Sequence, residues 1–178
     1  MERAEAHLIR PDPSLRDAFI DMMADWREAV DNRYEAIRDR VRTGFAGQVD
    51  EWLALAERTG MTPETWPQHI FWLVRGEDEG RTVLGTITLR PRLPEDRQRR
   101  FGHIGYEVRP SERRKGYATR MLALALDEAR ALGLKLVRLV CTRGHPSARV
   151  IQKNGGTLEA EWLSQNHDMT YQTWRIEL

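Results

Sequence analysis

The chain has 178 residues, of which 40% are hydrophobic and 31% are charged, and its formal net charge is +1. This balance is typical of a soluble globular protein with a single domain over residues 1–178, and it excludes a disordered chain. No apolar run approaches the roughly 20 residues that span a bilayer, and the small net charge predicts neither a nucleic-acid nor a membrane partner. The single cysteine, Cys141, allows no intrachain disulfide, and no apolar signal segment follows Met1. We therefore expect a cytoplasmic protein.

The N-terminal third is predicted to contain one short strand and two helices. Residues 6–10 have the pattern of a strand that ends at Pro11, and Ser14 is placed as a helix start. A second helix is predicted over residues 49–57. An apolar stripe at helical spacing supports the first helix and consists of Leu15, Ala18, Phe19, Met22, Trp26 and Ala29.

From residue 70 onward the pattern predicts an alternation of strands and helices. Residues 91–100 hold two prolines and many charges and are predicted to form an exposed loop. The strand–helix–strand unit over 102–141 predicts a parallel strand pair inside a mixed sheet, and hence an α/β fold. The predicted strands are 70–74, 82–89, 102–108, 134–141 and two within 157–178, and the predicted helices are 115–132 and 147–154. The predicted turns are 76–80 and 165–168.

The junction between a strand and a helix at 108–119 has the features of an anion site. Gly116 and Ala118 leave the first helical turn almost without side chains, so an anion can approach the unpaired N–H groups there. Arg113, Arg114 and Lys115 add positive charge. The sequence contains neither a Walker P-loop nor a Rossmann glycine motif. The alternative is an ordinary basic helix start whose glycine has no special role.

These residues resemble the acetyl-CoA signature of the GNAT superfamily of N-acetyltransferases. Arg113, Gly116 and Ala118 fit its pattern Arg/Gln-x-x-Gly-x-Gly/Ala, which the family carries between its fourth strand and third helix. The runs 102–113 and 147–156 are also similar to family sequence, and the resemblance is strong over 70–178. It implies a mixed, mostly antiparallel central sheet with a parallel strand pair, flanked by helices. It also implies direct acetyl transfer from acetyl-CoA to a primary amine of a small molecule or peptide, by a monomer or homodimer without a metal.

The resemblance also implies where the cofactor binds. Val108 would offer backbone groups to the pantetheine arm, and Ser147 would lie beside the same arm across the cleft. The chain has Gly144 where the family often has an asparagine, which removes one side-chain contact. The pyrophosphate would be cradled by Arg113, Arg114, Lys115, Gly116, Tyr117, Ala118 and Thr119.

Acetyl transfer to an amine requires a base, because an amine with a pKa of about 10.4 is neutral only about once in 2,500 molecules at pH 7. His103 is the first candidate, since its intrinsic pKa suits the task, and a purely packed histidine is the alternative. Glu107 shares a strand face with His103 and is the second candidate, unless it is only a surface carboxylate. Tyr171 is a candidate acid toward the thiolate. Cys141 is interpreted as a buried structural thiol.

Two other classes of function remain open at this stage. The fold could bind CoA as a sensor or scaffold without turnover, because the motif reports binding and not chemistry. RNA binding through the arginines of 90–115 is disfavoured, since no aromatic residues are interleaved with them. Residues 14–58 are expected to shape the acceptor pocket, with Trp26 and Trp52 in the core and Phe45 on a loop between the two helices.

Overall fold

The computed structural model describes residues 5–28, 35–60, 62, 64–77, 80–164 and 168–178. The strands are β1 (His7–Ile9), β2 (His69–Arg75), β3 (Thr82–Leu89), β4 (Ile104–Val108), β5 (Leu136–Thr142), β6 (Thr157–Leu163) and β7 (Thr170–Glu177). The helices are α1 (Arg16–Glu28), α2 (Arg38–Thr43), α3 (Phe45–Ala54), α4 (Glu95–Phe101), α5 (Tyr117–Ala131) and α6 (Ser147–Lys153). No helix in these ranges is long and apolar enough to cross a membrane.

The strands form two antiparallel sheets. The first has the order β1-β2-β3-β4, and the second has the order β5-β7-β6. Helices cover both, so the predicted mixed α/β fold is confirmed. The strands β4 and β5 are edge strands and face each other. The width of the gap between them depends on how closely the two sheets approach.

The two sheets touch at the start of β4 and separate beyond it. The N–H of His103 donates to the carbonyl of Arg138 at 2.7 Å, and the N–H of Arg138 donates back to Nδ1 of His103 at 2.9 Å. Gly102 makes this approach possible, because a Cβ there would lie 2.7 Å from the Arg138 carbonyl oxygen. Among the described strands β4 and β5 share no ladder, so the predicted parallel pair is not confirmed. The strands open instead into a cleft.

Two hydrophobic cores lie on opposite faces of the first sheet. One is formed under α5, where Met121, Leu122 and Ala125 pack on both sheets. The other is formed by α1 and α3, whose aromatic side chains pack on Trp72 of β2. The separation follows from the strand period of two, which sends alternate side chains of β2, β3 and β4 to opposite faces.

The exposed loop predicted over 91–100 is wrong, because residues 95–101 form α4. Glu95 and Asp96 lie in its first turn and Arg99 and Arg100 in its last, an order that suits the helix dipole. Gln98 then accepts a hydrogen bond from Arg138 of β5 at 2.7 Å, which fixes the helix to the second sheet. The charges that suggested a loop therefore stabilise a helix.

The placement of Phe45 on a loop is also wrong. Phe45 begins α3, is 5% exposed and packs against Phe19, Trp52 and Trp72. The second helix thus starts four residues before the predicted residue 49, and only its last turn, 55–57, is a 3₁₀ turn.

The start of the first helix also differs from the prediction. The carboxylate of Asp12, and not Ser14, caps it by accepting from the Ser14 N–H at 2.8 Å. Ala29, part of the turn 76–80 and most of the turn 165–168 lie outside the described residues.

Candidate active site

The backbone at the start of α5 forms a concave cradle of N–H groups. Arg114 and Gly116 both have positive φ angles, of 60° and 90°, on either side of Lys115. The first hydrogen bond of the helix runs from the N–H of Arg120 to the carbonyl of Gly116 at 3.1 Å. The N–H groups of Tyr117, Ala118 and Thr119 therefore have no helical acceptor. Such an alternating backbone followed by a helix start is suited to an anion.

Gly116 keeps the cradle open. A Cβ added at Gly116 would meet no protein atom within 4 Å, so packing against the protein does not explain the glycine. The glycine is explained by its left-handed backbone and by the space in front of it. A side chain there would extend into the volume that an anion needs.

The basic side chains around the cradle are mostly engaged in holding the loop. The guanidinium of Arg113 lies over Trp26 of α1 at 4.6 Å from the ring centroid, and its Nε donates to the Val108 carbonyl at 3.2 Å. Lys115 pairs with Glu112 at 3.0 Å. The cradle thus offers its backbone to a ligand, while Arg113 fixes the path of the loop.

Tyr117 anchors the first turn of α5 in the core. Its ring is buried, and its hydroxyl accepts a hydrogen bond from Arg75 of β2 at 2.7 Å. Its side chain is therefore directed into the protein, and only its backbone belongs to the cradle.

Arg109 ties the same loop to α1. Its guanidinium donates to Asp21 and Asp25 at 2.8 Å each, and the hydroxyl of Ser111 donates to Asp25 at 2.6 Å. The hydrogen bonds from Arg109 and Ser111 hold the pKa of Asp25 below its usual value, although burial alone would raise it. The sequence gives no local signal for this contact, because α1 precedes Arg109 by more than 80 residues.

A cavity of about 250 Å³ lies between β4 and β5, where the two sheets have separated. The hydrogen bonds of Arg90 N–H to His103 and of Arg109 N–H to Leu84 fix the alternation of the β3–β4 ladder. The N–H groups of Tyr106 and Val108 accordingly face the cavity edge, away from β3. The lining comprises Ile104, Gly105, Tyr106, Leu139, Val140, Cys141, Thr142, His145, Ser147 and Ile151.

Tyr106 is the titratable side chain of β4 that lines this cavity, and the sequence analysis did not select it. Burial raises the pKa of its hydroxyl to about 12, although the neighbouring Ser147 opposes the shift. The two hydroxyls are neighbours, but they form no hydrogen bond of ordinary geometry. The Tyr106 hydroxyl is therefore buried without a hydrogen-bond partner among the described residues. The strand period places Tyr106 on the same face as Val108. This alternation is the feature of the sequence that could have identified Tyr106.

Ser147 and Cys141 also line the cavity. The N–H of Ser147 donates to Nδ1 of His145 at 3.2 Å, which orders the turn before α6. Burial raises the pKa of the Cys141 thiol, so the reactive thiolate is disfavoured.

His103 has the geometry of a structural residue and not that of a base. It is 4% exposed, and its Nδ1 accepts the N–H of Arg138. Burial, with the nearby charge of Arg138, lowers the pKa of the ring to about 4. The ring is therefore neutral near pH 7, its Nδ1 lone pair is occupied, and it is not part of the cavity lining.

Glu107 and Tyr171 occupy very different positions. Glu107 is half-buried on the α1 side of β4, where its carboxylate accepts from the Thr86 hydroxyl at 3.3 Å. Tyr171 stacks on Trp162 in the second sheet, with ring centroids 4.8 Å apart, and does not line the cavity. Of the predicted site residues Ser147 lines the cavity, Glu107 lies on the other face of β4, and Val108, the cradle and Tyr171 are not part of the cavity lining.

A cleft between two sheets and an anion cradle at the start of α5 are compatible with a phosphate-bearing cofactor. The sequence profile of the Acetyltransferase (GNAT) family matches residues 30–155. The match spans more than half of the chain, so the protein belongs to the GNAT acetyltransferase family, whose cofactor is acetyl-CoA. The predicted family, fold class and cofactor are confirmed.

Solved structures have the same fold at low sequence identity. A putative acetyltransferase from Salmonella typhimurium with acetyl-CoA has a TM-score of 0.62 and 16% identity, over 97% of this chain and 94% of that chain. The microcin C7 self-immunity acetyltransferase, in complex with acetyl-CoA and AMP, gives 0.63 and 13%, over 98% and 93%. A spermidine N-acetyltransferase chimera from Vibrio cholerae and hSSAT gives 0.59 and 14%, over 98% and 96%. No curated protein matches the chain.

Proposed function

We propose that the protein is an N-acetyltransferase that moves the acetyl group of acetyl-CoA directly to a primary amine. The observation that carries this proposal is the position of Glu107. Its carboxylate lies on the α1 side of β4, one residue before Val108, whose N–H is directed away from β3. The proposed base and the proposed cofactor channel would then lie on the two sides of one strand.

The residues of the cleft fit acetyl-CoA. The cradle from Arg113 to Thr119 would hold the pyrophosphate through backbone N–H groups, and Ser147 with the backbone of Val108 would border the pantetheine arm. When bound, the cofactor supplies an acetyl group already activated as a thioester. The N–H groups of Tyr106 and Val108 are suitably directed to stabilise negative charge on a carbonyl oxygen.

Glu107 would accept the proton of the amine, directly or through one water. Thr86 orients its carboxylate by a hydrogen bond. We place Glu107 ahead of His103 for this role, because the Nδ1 of His103 is already occupied by Arg138. For the acid we place Tyr106 ahead of Tyr171, since Tyr106 lines the cavity and Tyr171 does not.

A panel of amines with acetyl-CoA tests this function. We expect free thiol and an N-acetylated product, identified by mass spectrometry, to appear in equal amounts for at least one amine. Glu107→Gln should suppress both at unchanged acetyl-CoA binding. Binding of acetyl-CoA without turnover of any amine would favour a CoA sensor, and thiol release without acetylated amine would indicate hydrolysis.

A further inference from the structure

The α1 face of the first sheet carries a polar strip next to the aromatic core. Thr86 and Thr88 of β3 lie opposite Glu107 and Gly105 of β4, and Arg90 extends the same row. The N–H of Arg90 donates to the carbonyl of His103 at 2.7 Å, so its register is fixed although β3 ends at Leu89. Alternate residues of a strand share a face, so Thr86, Thr88 and Arg90 share the face of Glu107.

The side chain of Arg90 lies across β4. One terminal nitrogen is 3.7 Å from the position that a Cβ of Gly105 would occupy. A larger side chain at residue 105 would reach into the place of the guanidinium, so the glycine gives Arg90 its room. The arginine is half-buried there, and burial lowers its pKa.

Arg90 differs from Arg75, Arg109 and Arg138 in having no counter-charge. Within the described residues no carboxylate pairs with it, and burial is the sole cause of its pKa shift. Taking a guanidinium out of water without a partner costs stability, and an anionic ligand at this place would supply the partner. Three other arginines have theirs within the protein: Arg75 with Tyr117 and Glu112, Arg109 with Asp21 and Asp25, and Arg138 with Glu159 and Gln98.

We infer that Arg90 binds a carboxylate of the acceptor, so that the acceptor is an amino acid and not a polyamine. The inference rests on the proposed function, because it takes Glu107 as the group that receives the amine. A guanidinium offers two parallel N–H donors to a carboxylate, which fixes the orientation of the acceptor as well as its charge.

The spacing along β4 suits this class of molecule. Gly105, under the guanidinium, and Glu107 are two residues apart, or about 7 Å along a strand. A carboxylate hydrogen-bonded at one end and an amine hydrogen-bonded at the other bridge this distance when one or two carbons separate them. Ile70, opposite Thr88 on the same face, and Trp52 of α3 are half-buried and offer an apolar wall for a side chain.

Three matched acceptors test the inference: phenylalanine, phenylalaninamide and phenethylamine. They share the amine and the aromatic group and differ in the carboxylate. The wild type should acetylate phenylalanine with a kcat/KM about 10- to 100-fold above that of the other two. Arg90→Gln should remove this preference, mainly by raising KM for phenylalanine, and leave kcat/KM for phenethylamine unchanged. Arg90→Lys should retain part of the preference, and Arg92→Gln, an exposed neighbour, should retain all of it.

Equal kcat/KM for phenylalanine and phenethylamine in the wild type would overturn the inference and leave the acetylation proposal intact. So would an equal loss on both acceptors in Arg90→Gln. If no acceptor is acetylated, the proposed acetylation is wrong. The role of Arg90 is then tested by the binding of N-acetylphenylalanine. N-acetylphenylalanine should then raise the melting temperature of the wild type and of Arg92→Gln, but not of Arg90→Gln. The same rise in all three proteins would contradict a carboxylate site at Arg90.

Discussion

The side of the protein that carries the cradle, residues 102–155, and its N-terminal side, residues 5–58, depend on different parts of the chain. On the cradle side the backbone of 113–119 forms the cradle, and side chains such as Arg113 only fix its path. On the N-terminal side the structure is held by side chains, with Phe19, Phe45 and Trp52 packed on Trp72 in a core.

This difference determines what each side can recognise. A phosphate presents the same oxygens whatever molecule carries it, so backbone N–H groups can recognise it. An acceptor is recognised by its shape and charge, which only side chains can match. We therefore expect substitutions on the N-terminal side to change the stability or the acceptor preference. Substitutions in the cradle should change the affinity for the cofactor.

The largest effect on kcat is expected for Glu107→Gln. Glu107 lies on the boundary between the two sides. Loss of the base should lower kcat by about 10²- to 10⁴-fold, the usual contribution of general base catalysis. Steady-state kinetics over pH 6–10 would show the rate of the variant recovering at high pH, where more of the amine is neutral. A variant with normal turnover at neutral pH would remove Glu107 from the mechanism.

Phe45→Ala should separate stability from cofactor binding. Truncation of a buried phenylalanine leaves a cavity and costs about 3–5 kcal/mol of unfolding free energy, which urea denaturation measures. The folded fraction should keep its acetyl-CoA affinity, because Phe45 lies in the N-terminal core. Leu163→Ala is the control, since that side chain is 63% exposed. A lowered acetyl-CoA affinity in Phe45→Ala would break the division between the two sides.

His103→Leu should destabilise the contact between the sheets without removing the chemistry. It leaves the N–H of Arg138 without its acceptor, at a cost of about 1–3 kcal/mol. His103→Asn offers an oxygen near the position of Nδ1 and should restore part of that stability. Both variants should retain kcat below their melting temperatures. A collapse of kcat in His103→Asn at full stability would return His103 to the role of base.

The same histidine predicts how acid affects stability. Its pKa is about 4 in the folded protein against an ordinary value of 6.5, so the unfolded chain binds more protons between these values. Its contribution to stability is complete above pH 6.5 and is lost as the pH falls toward 4. Denaturation curves of His103→Asn should therefore depend less on pH in this window than those of the wild type, and parallel curves would contradict the assignment.

Tyr106→Phe should have the smallest effect of the set. A thiolate is a fair leaving group already, so loss of the acid should lower kcat by about tenfold, below the 10²- to 10⁴-fold common for acid–base groups. Tyr171→Phe is the matched control and should leave kcat within about twofold, because its ring stacks on Trp162 outside the cavity. The reverse order of the two variants would favour Tyr171 as the acid.

The same contrast explains what the sequence could predict. The cradle was predictable because its causes are local: Gly116 and Ala118 stand in the turn that they form. The base was not, because the alternation of the sequence put His103 and Glu107 on one strand face, and only the contact of His103 with Arg138 shows its structural role. The helix at 95–101 was missed because its charges look alike in a loop and on a helix. In the sequence Arg90 is one of the arginines of 90–115, and only the structure places it over Gly105.

The central claim, that the backbone around Gly116 binds the pyrophosphate of acetyl-CoA, is tested most directly by melting temperatures with and without the cofactor. A ligand at a hundredfold excess over its Kd stabilises the native state by about 2.7 kcal/mol. Gly116→Asp should lose this stabilisation, because a carboxylate would occupy the place of the phosphate. Gly116→Asn has the same size without the charge and should retain a part of it. If Gly116→Asp is stabilised by acetyl-CoA as strongly as the wild type, the pyrophosphate does not bind at this cradle.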